Sequence, residues 1–468
     1  AELPFGSVEY FSPIAPDVSD TTSIADGYYK RLLRDLPPID PRALRRLQTF
    51  VHNWLRDNII PVGEVMTFEQ WLETTNYPEA RREELRRWDK RFGGRRPERK
   101  LCRRVKSFGK VEHYPEYKFP RMINSRIDAF KAYSGRFFKT IEDVLYRVRS
   151  PNGNPWFVKH ATPGERWWFV RMLHTAGCVF YGTDFTSFEA SMTPEVMRVV
   201  ECALYKYVLS KFPGDADFLC SVLTGDNIMS THVGVRATVK GRRMSGDMCT
   251  SLGNGFTNLM VSLFALHEAG VDLTKVCGHV EGDDGIFSAP IVPSVNAYAS
   301  VGFDIKLERI ESPETASFCG IIYSQTGDLL RDPLKFIRGF GWTGTMVDAG
   351  RKVKFELLRA KALSAMYETP NCPIVGALAY AAYRMTMAYS PRYVDDGYHR
   401  PPRSIDVKPP CPSEETRMLF ARLYGIDPKT QRDVESAALA GDKARLASLL
   451  MHLHGTTVDI PHWCAYVS

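Results

Sequence analysis

The stretch Val276-Cys277-Gly278-His279-Val280-Glu281-Gly282-Asp283-Asp284-Gly285-Ile286-Phe287-Ser288 decides the architecture. A β-favouring apolar run, a tight Gly282–Gly285 turn and a second apolar run read as a hairpin with two adjacent carboxylates at its tip. Upstream, Cys178 to Asp184 is a further apolar strand that ends on an acid. If the strands are neighbours, Asp184, Asp283 and Asp284 converge at one end of a sheet. Adjacent carboxylates repel each other and are costly to desolvate, so such a cluster calls for cations. Two Mg²⁺ ions, with Mn²⁺ as the substitute, suit displacement at phosphorus. Taken alone, a Gly-Asp-Asp-Gly string is more often an ordinary solvated turn.

Outward from the hairpin, the pattern predicts a helix over Val295–Val301, a strand over Asp304–Arg309 and a second hairpin from Phe318 to Arg331. Beyond Asp332 the periodicity is helical, over Asp348–Tyr367, Ile374–Tyr389, Ser413–Tyr424 and Gln431–His452. Before the hairpin come a helix from Thr250 to Ala269 that stops at Gly270, an alternating strand over Thr231–Val239 and a helix over Pro194–Lys211. Earlier still, Pro41–Asn58 and Thr67–Arg91 read as amphipathic helices. The sum is an α+β core followed by an all-helical region.

The loop Ser245-Gly246-Asp247-Met248-Cys249 runs into that helix, and Thr250 and Asn254, spaced i,i+4, share one of its faces. With these residues the sequence resembles the RNA-dependent RNA polymerases of positive-strand RNA viruses. Asp184-Phe185-Thr186-Ser187-Phe188-Glu189 looks like motif A, Ser245-Gly246 with Thr250 and Asn254 matches motif B, and Gly282-Asp283-Asp284 matches motif C, in the usual order. Lys118-Phe119-Pro120-Arg121-Met122-Ile123-Asn124-Ser125-Arg126 resembles motif F, Gly302 to Lys306 motif D, and Phe318-Cys319-Gly320 motif E. The style is similar to the tombusvirus and nodavirus side of the family. In one respect the chain departs from it: the second acid of motif A, usually Asp, is Glu189.

The resemblance implies a right-hand polymerase. An N-terminal extension and fingers would be 1–176, with a fingers insertion at 205–244, the palm 177–204 and 245–332, and the helical thumb 333–468. It implies metal binding by Asp184, Asp283 and Asp284, and a proton from Lys306 to the leaving group. Nucleotide contacts fall to Lys118, Arg121, Arg126, Glu189, Ser245, Thr250 and Asn254, with Glu189 either reaching the ribose 2′-hydroxyl from a more retracted backbone or, the favoured reading, orienting Asn254 toward it. The partners implied are template and product RNA, ribonucleoside triphosphates, other viral replication proteins and, through a partner, host membranes in the cytoplasm. The rival readings are a reverse transcriptase, against which the Thr250 and Asn254 pair speaks, and a non-catalytic RNA-binding protein with a decayed palm.

Charge points the same way. Of the formal +7, residues 81–110 contribute fourteen Lys/Arg against four Asp/Glu, a local +10 that leaves the other residues slightly acidic. A concentrated basic segment is what a polyanion binder needs. Arg99, Lys100, Arg103, Arg104 and Lys106 are expected to meet RNA; the motif E resemblance adds Cys319 to the RNA contacts as part of a primer-grip hairpin, against the commoner reading of a cysteine simply packed in a strand. The blander alternative for Arg81–Arg91 is a helix face paired with its own Glu83, Glu84 and Asp89. The ten cysteines include no CxxC pair and read as reduced thiols. His452, His454, His462 and Cys464 form the one metal-like cluster, at a spacing that matches no zinc module. No apolar run reaches the roughly 20 residues of a membrane span. Ala1 follows no initiator Met and carries no signal-type segment, so this terminus reads as processed or trimmed.

Overall fold

The computed structural model describes residues 16–454 apart from 111, 113–116, 174–176, 342, 344, 345, 347, 394–400, 403 and 404. His462 and Cys464 lie outside the described residues. Eleven described strands, β1 (Arg104–Lys110), β2 (Arg121–Arg126), β3 (Val179–Phe185), β4 (Asn227–Thr231), β5 (Arg236–Val239), β6 (Cys277–Glu281), β7 (Asp284–Ala289), β8 (Ile305–Ile310), β9 (Ser317–Phe318), β10 (Ile321–Tyr323) and β11 (Leu329–Leu330), form three sheets. With the helices between them they make the expected α+β fold.

The central sheet runs β6-β7-β3-β8, and every pair in it is antiparallel. Register brings the acids to one end: Thr183 faces Gly285 across β3 and β7, and Asp184 faces Lys306 across β3 and β8. Behind this sheet packs the helix Thr250–Glu268, whose side chains are buried without a break from Leu252 to Leu266. It ends where Gly270 takes φ +75°, a conformation open to glycine. Pro41–Asn58, started by Asp40 with Pro at the first turn, lays Leu47, Val51 and Leu55 into the same core.

A second sheet, β2-β1-β4-β5, joins two distant parts of the chain through a parallel β1/β4 pair. On β1, exposed Arg104, Lys106 and Phe108 alternate with buried Val105, Ser107 and Gly109. The small sheet β9–β11 leads into the C-terminal helices, which have a core of their own around Leu358, Ile374, Leu378, Phe420 and Val434.

Several expected elements are divided. The Thr67–Arg91 helix is two helices, Phe68–Glu73 and Glu79–Phe92, because Pro78 cannot continue the first. Val200, at φ −109° and ψ −75°, separates Pro194–Val199 from Glu201–Val208. Gly441 at φ +70° ends Pro428–Ala440 before Lys443–His454 begins. Thr231–Val239 is the end of β4, a turn and β5, and most of β4 lies upstream of the expected strand. The nine described cysteines are all free. Among the described residues no helix is long and apolar enough to cross a membrane.

Candidate active site

Asp184 sits near the end of β3, and Asp283 and Asp284 at the β6–β7 turn. The turn is held from behind by the Thr250–Glu268 helix: Asn258 Nδ2 donates to the carbonyls of Asp283 at 2.9 Å and Gly282 at 3.4 Å. Gly282 at φ +61° makes the tight reversal possible. The bonds from Asn258 use the backbone carbonyls of the turn and not the aspartate side chains. Both keep contact with solvent yet are hemmed in by protein. Burial first, then the charges of Glu189 and Asp284, push the Asp283 carboxyl up to about 6. Burial likewise raises Asp284; a Cys319 hydrogen bond opposes the rise, and the charges of Glu281 and Asp184 add to it. Glu281 itself is neutralised by Arg166 at 2.5 Å.

Among the described residues, no three or more His, Cys, Asp or Glu side chains are gathered closely enough to hold an ion as they stand. The donor chemistry nonetheless fits a hard divalent cation. Asp184, Asp283 and Asp284 offer only carboxylate oxygens, and their mutual repulsion is what such a cation relieves.

The Ser245–Asp247 loop is stitched to β2. Ser245 Oγ donates to the Met122 carbonyl at 3.0 Å and accepts from Asn124 N–H at 3.2 Å, while Gly246 N–H donates to the Asn124 carbonyl at 2.9 Å. A Cβ on Gly246 would stand 2.8 Å from that same carbonyl oxygen, so only glycine permits the approach. Arg126, expected at the nucleotide, instead points inward. Its Nε donates to both Asp247 oxygens at 3.2 and 3.1 Å, its Nη1 to the Cys102 carbonyl, and the Arg126 and Asp247 side chains are almost wholly buried. A guanidinium so committed cannot reach a triphosphate without breaking a buried ion pair. Ser245 and Arg126 thus join the loop to the strand.

Thr250 Oγ1 donates to the Met244 carbonyl at 3.1 Å, closing the start of the helix. Asn254 is buried, and its Oδ1 accepts from Arg243 Nε at 2.9 Å. Among the described residues Asn254 is hydrogen-bonded by Arg243 and not by Glu189, whose charge instead acts on Asp283. Glu189 is placed by a turn in which Ser187 adopts φ +54°.

Lys306 lies opposite Asp184, exposed and ion-paired with Glu308 two residues along its strand. Arg121 is half-exposed beside Glu112 at 3.7 Å, near enough to the acids to lower the Asp283 pKa slightly. Lys118 is exposed in the segment leading to β2. Cys319, at φ +54°, sets its Sγ 3.8 Å from Glu281 Oε2, and burial raises its thiol pKa so that it stays protonated. It also lines a cavity of about 670 Å³ with Lys159, His160, Arg166 and Tyr323. A larger cavity of about 1030 Å³ lies elsewhere, against Phe50, Trp54 and the far end of the central helix at His267.

The basic segment divides in two. Arg81 is taken by Glu84 and Asp128, and Arg86 by Glu69, Glu79 and Glu83, so Glu83 and Glu84 pair as the bland alternative expected while Asp128 and Glu69, from outside the helix, serve where Asp89 was expected. Arg99, Lys100, Arg104 and Lys106 are exposed, whereas Arg103 is half-buried against Gly225.

The site residues not foreseen are Arg243, Glu201, Asp247, Asn258 and Arg166. Each is a buried or half-buried polar group whose partner is distant in sequence. One signal was available: Gly253 lies inside the first turn of the Thr250–Glu268 helix, where glycine is unfavourable unless something needs the space.

Residues 163–343 match the profile of a family described as viral RNA-dependent RNA polymerase. The chain is 30% identical over 233 residues to the RNA-directed RNA polymerase of Striped jack nervous necrosis virus, a match covering 47% of this chain and 22% of that protein. It is 26% identical over 301 residues to that of Greasy grouper nervous necrosis virus, covering 61% and 28%. It is also 26% identical over 379 residues to that of Groundnut rosette virus (strain MC1), covering 73% and 43%. The matches thus span less than half the length of each of these relatives.

Proposed function

We infer that this chain, which carries a viral RNA-dependent RNA polymerase domain over residues 163–343, copies an RNA template from ribonucleoside triphosphates during replication of a viral genome in the host cytoplasm. The observation that carries the reading is the convergence of Asp184, Asp283 and Asp284 at one end of an antiparallel sheet, with the Thr250–Glu268 helix fixing their turn from behind.

The hand-like arrangement has support in the sheets. β1 and β2 from the first 176 residues share one sheet with β4 and β5 from 205–244, as one fingers unit would require. β3 joins β6, β7 and β8 in a palm, and the helices after Asp332 hold a separate core suited to a thumb.

Asp184, Asp283 and Asp284 would hold two Mg²⁺ or Mn²⁺ ions. When bound, the metal lowers the pKa of an attacking hydroxyl and neutralises the triphosphate. The chain's own residues supply the rest. Arg121 and Lys118 offset phosphate charge at the entry, and Asn254 meets the ribose from the helix. Lys306 stands on the strand beside Asp184, where a proton can pass to the departing pyrophosphate. The test is extension of a primer annealed to an RNA template by the purified chain with Mg²⁺ or Mn²⁺. Absence of extension with both ions would overturn the reading.

RNA affinity should come from the exposed row on β1 and the turn before it. Neutralising Arg99, Lys100, Arg104 and Lys106 together is expected to flatten the log-log salt dependence of single-stranded RNA binding, by about 0.7 for each phosphate that is no longer neutralised. A salt titration with an unchanged slope would place those cations away from RNA.

A further inference from the structure

We infer that Arg243, locked on Glu201, is the positioning residue that fixes the Asn254 amide and so sets the discrimination between ribose and deoxyribose. This rests on the proposed role of Asn254 at the ribose. The guanidinium is fully buried, and its donors are divided among three partners. Nε meets Asn254 Oδ1 at 2.9 Å, Nη1 meets Glu201 Oε1 at 3.1 Å and Cys249 Sγ at 3.3 Å, and Nη2 meets Glu201 Oε2. Tyr205 Oη donates to Glu201 Oε1 at 2.5 Å and fixes the carboxylate in turn.

The amide orientation follows from chemistry. A guanidinium Nε–H can only donate, so the Asn254 atom facing it must be the oxygen, and Nδ2 must face the other way. Among the described residues Nδ2 has no hydrogen-bond partner. The side chain therefore offers a donor of fixed direction, which a ribose 2′-hydroxyl can accept and a deoxyribose cannot use. Without the Arg243 bond the amide could rotate and offer either group.

Gly253 shows that the helix is built around this pair. A Cβ at that position would lie 2.4 Å from Arg243 Nη2 and 2.7 Å from Glu201 Oε1, closer than atoms can approach. Glycine within a helix costs about 1 kcal/mol relative to alanine, and here it leaves room for the guanidinium and carboxylate beside Asn254.

The experiment measures kcat/KM for UTP and dUTP on one RNA primer-template. It uses the wild-type chain, Asn254→Ala, Arg243→Lys and the double variant. Lysine keeps the charge opposite Glu201 but lacks the Nε–H of the fork. Arg243→Lys is expected to lower the UTP to dUTP ratio about 10-fold, as Asn254→Ala does, and to lower it no further in the Asn254→Ala background. A merely structural role would lower both efficiencies together and leave the ratio unchanged, which would overturn the inference. So would a ratio change by Arg243→Lys that persists in full without Asn254. If Asn254→Ala itself leaves the ratio unchanged, the reading of Asn254 falls first and the role of Arg243 with it. Should Arg243→Lys fail to fold, the neutral pair Arg243→Gln with Glu201→Gln is read by the same ratio, and Gly253→Ala is expected to shift it in the same direction.

Discussion

Asp283→Ala should reduce nucleotide incorporation about 10³-fold or more while the protein remains folded and still binds RNA. Removing one preorganised electrostatic group at a reacting centre commonly costs about 10² to 10³-fold, and here the group is also a proposed metal ligand. The fold should not suffer, because the turn is held through the backbone carbonyls of Gly282 and Asp283 by Asn258, and alanine keeps both. Charge removal even favours the folded state. With its pKa raised to about 6 in the folded protein, Asp283 costs the metal-free fold stability as pH rises from the unfolded value near 4 through 6. At neutral pH the metal-free variant should melt at or above the wild-type temperature. Incorporation at a near wild-type rate would remove Asp283 from the chemistry, and a clearly lower melting temperature would make it a scaffold residue.

Asp247→Ala should have a large effect on stability. Its carboxylate neutralises Arg126 in a site where both side chains are at most 2% exposed. Losing one member of a buried pair leaves the other charged and unpaired, which costs about 3–5 kcal/mol, a large share of the roughly 5–15 kcal/mol that holds a domain together. The pair also links β2 to the Ser245–Asp247 loop, so the cost should appear as a lower urea midpoint together with release of Ser245 from β2. Asp247→Asn, which can still accept a hydrogen bond from Nε, should cost less than alanine. A midpoint for Asp247→Ala within about 1 kcal/mol of wild type would show that Arg126 finds water or another acid.

Much of the central sheet was legible in the sequence, because its strands are short apolar runs bounded by turn residues and its acids sit where those runs end. Register then did the rest: once Thr183 faces Gly285, Asp184 and the turn acids must share one end of the sheet. The divided helices were less legible. Pro78 and Gly441 are local breakers with a clear signal, but Val200 breaks its helix with nothing in its residue type to announce it. The pairing of β1 with β4 joins residues about 120 apart, and no local pattern encodes that.

The same limit explains the site. Arg126 and Arg121 lie in one basic strand and look equivalent as letters, yet alternation on β2 sends Arg126 into the core and leaves Arg121 half-exposed. Only the position of Asp247 in space decides that one is structural. Arg243 carried no signal as a single Arg in a basic run, and its role is visible only with Glu201 and Gly253 around it.

The most direct test of the central claim is single-nucleotide incorporation on four RNA templates that differ only in the base opposite the first added position, with Mg²⁺ and all four ribonucleotides offered separately. The expected result is that the complementary nucleotide is added preferentially on each template and that Asp283→Ala adds none. Addition of the same nucleotide whatever the template base, or addition that survives Asp283→Ala, would contradict a templated polymerase centred on these acids.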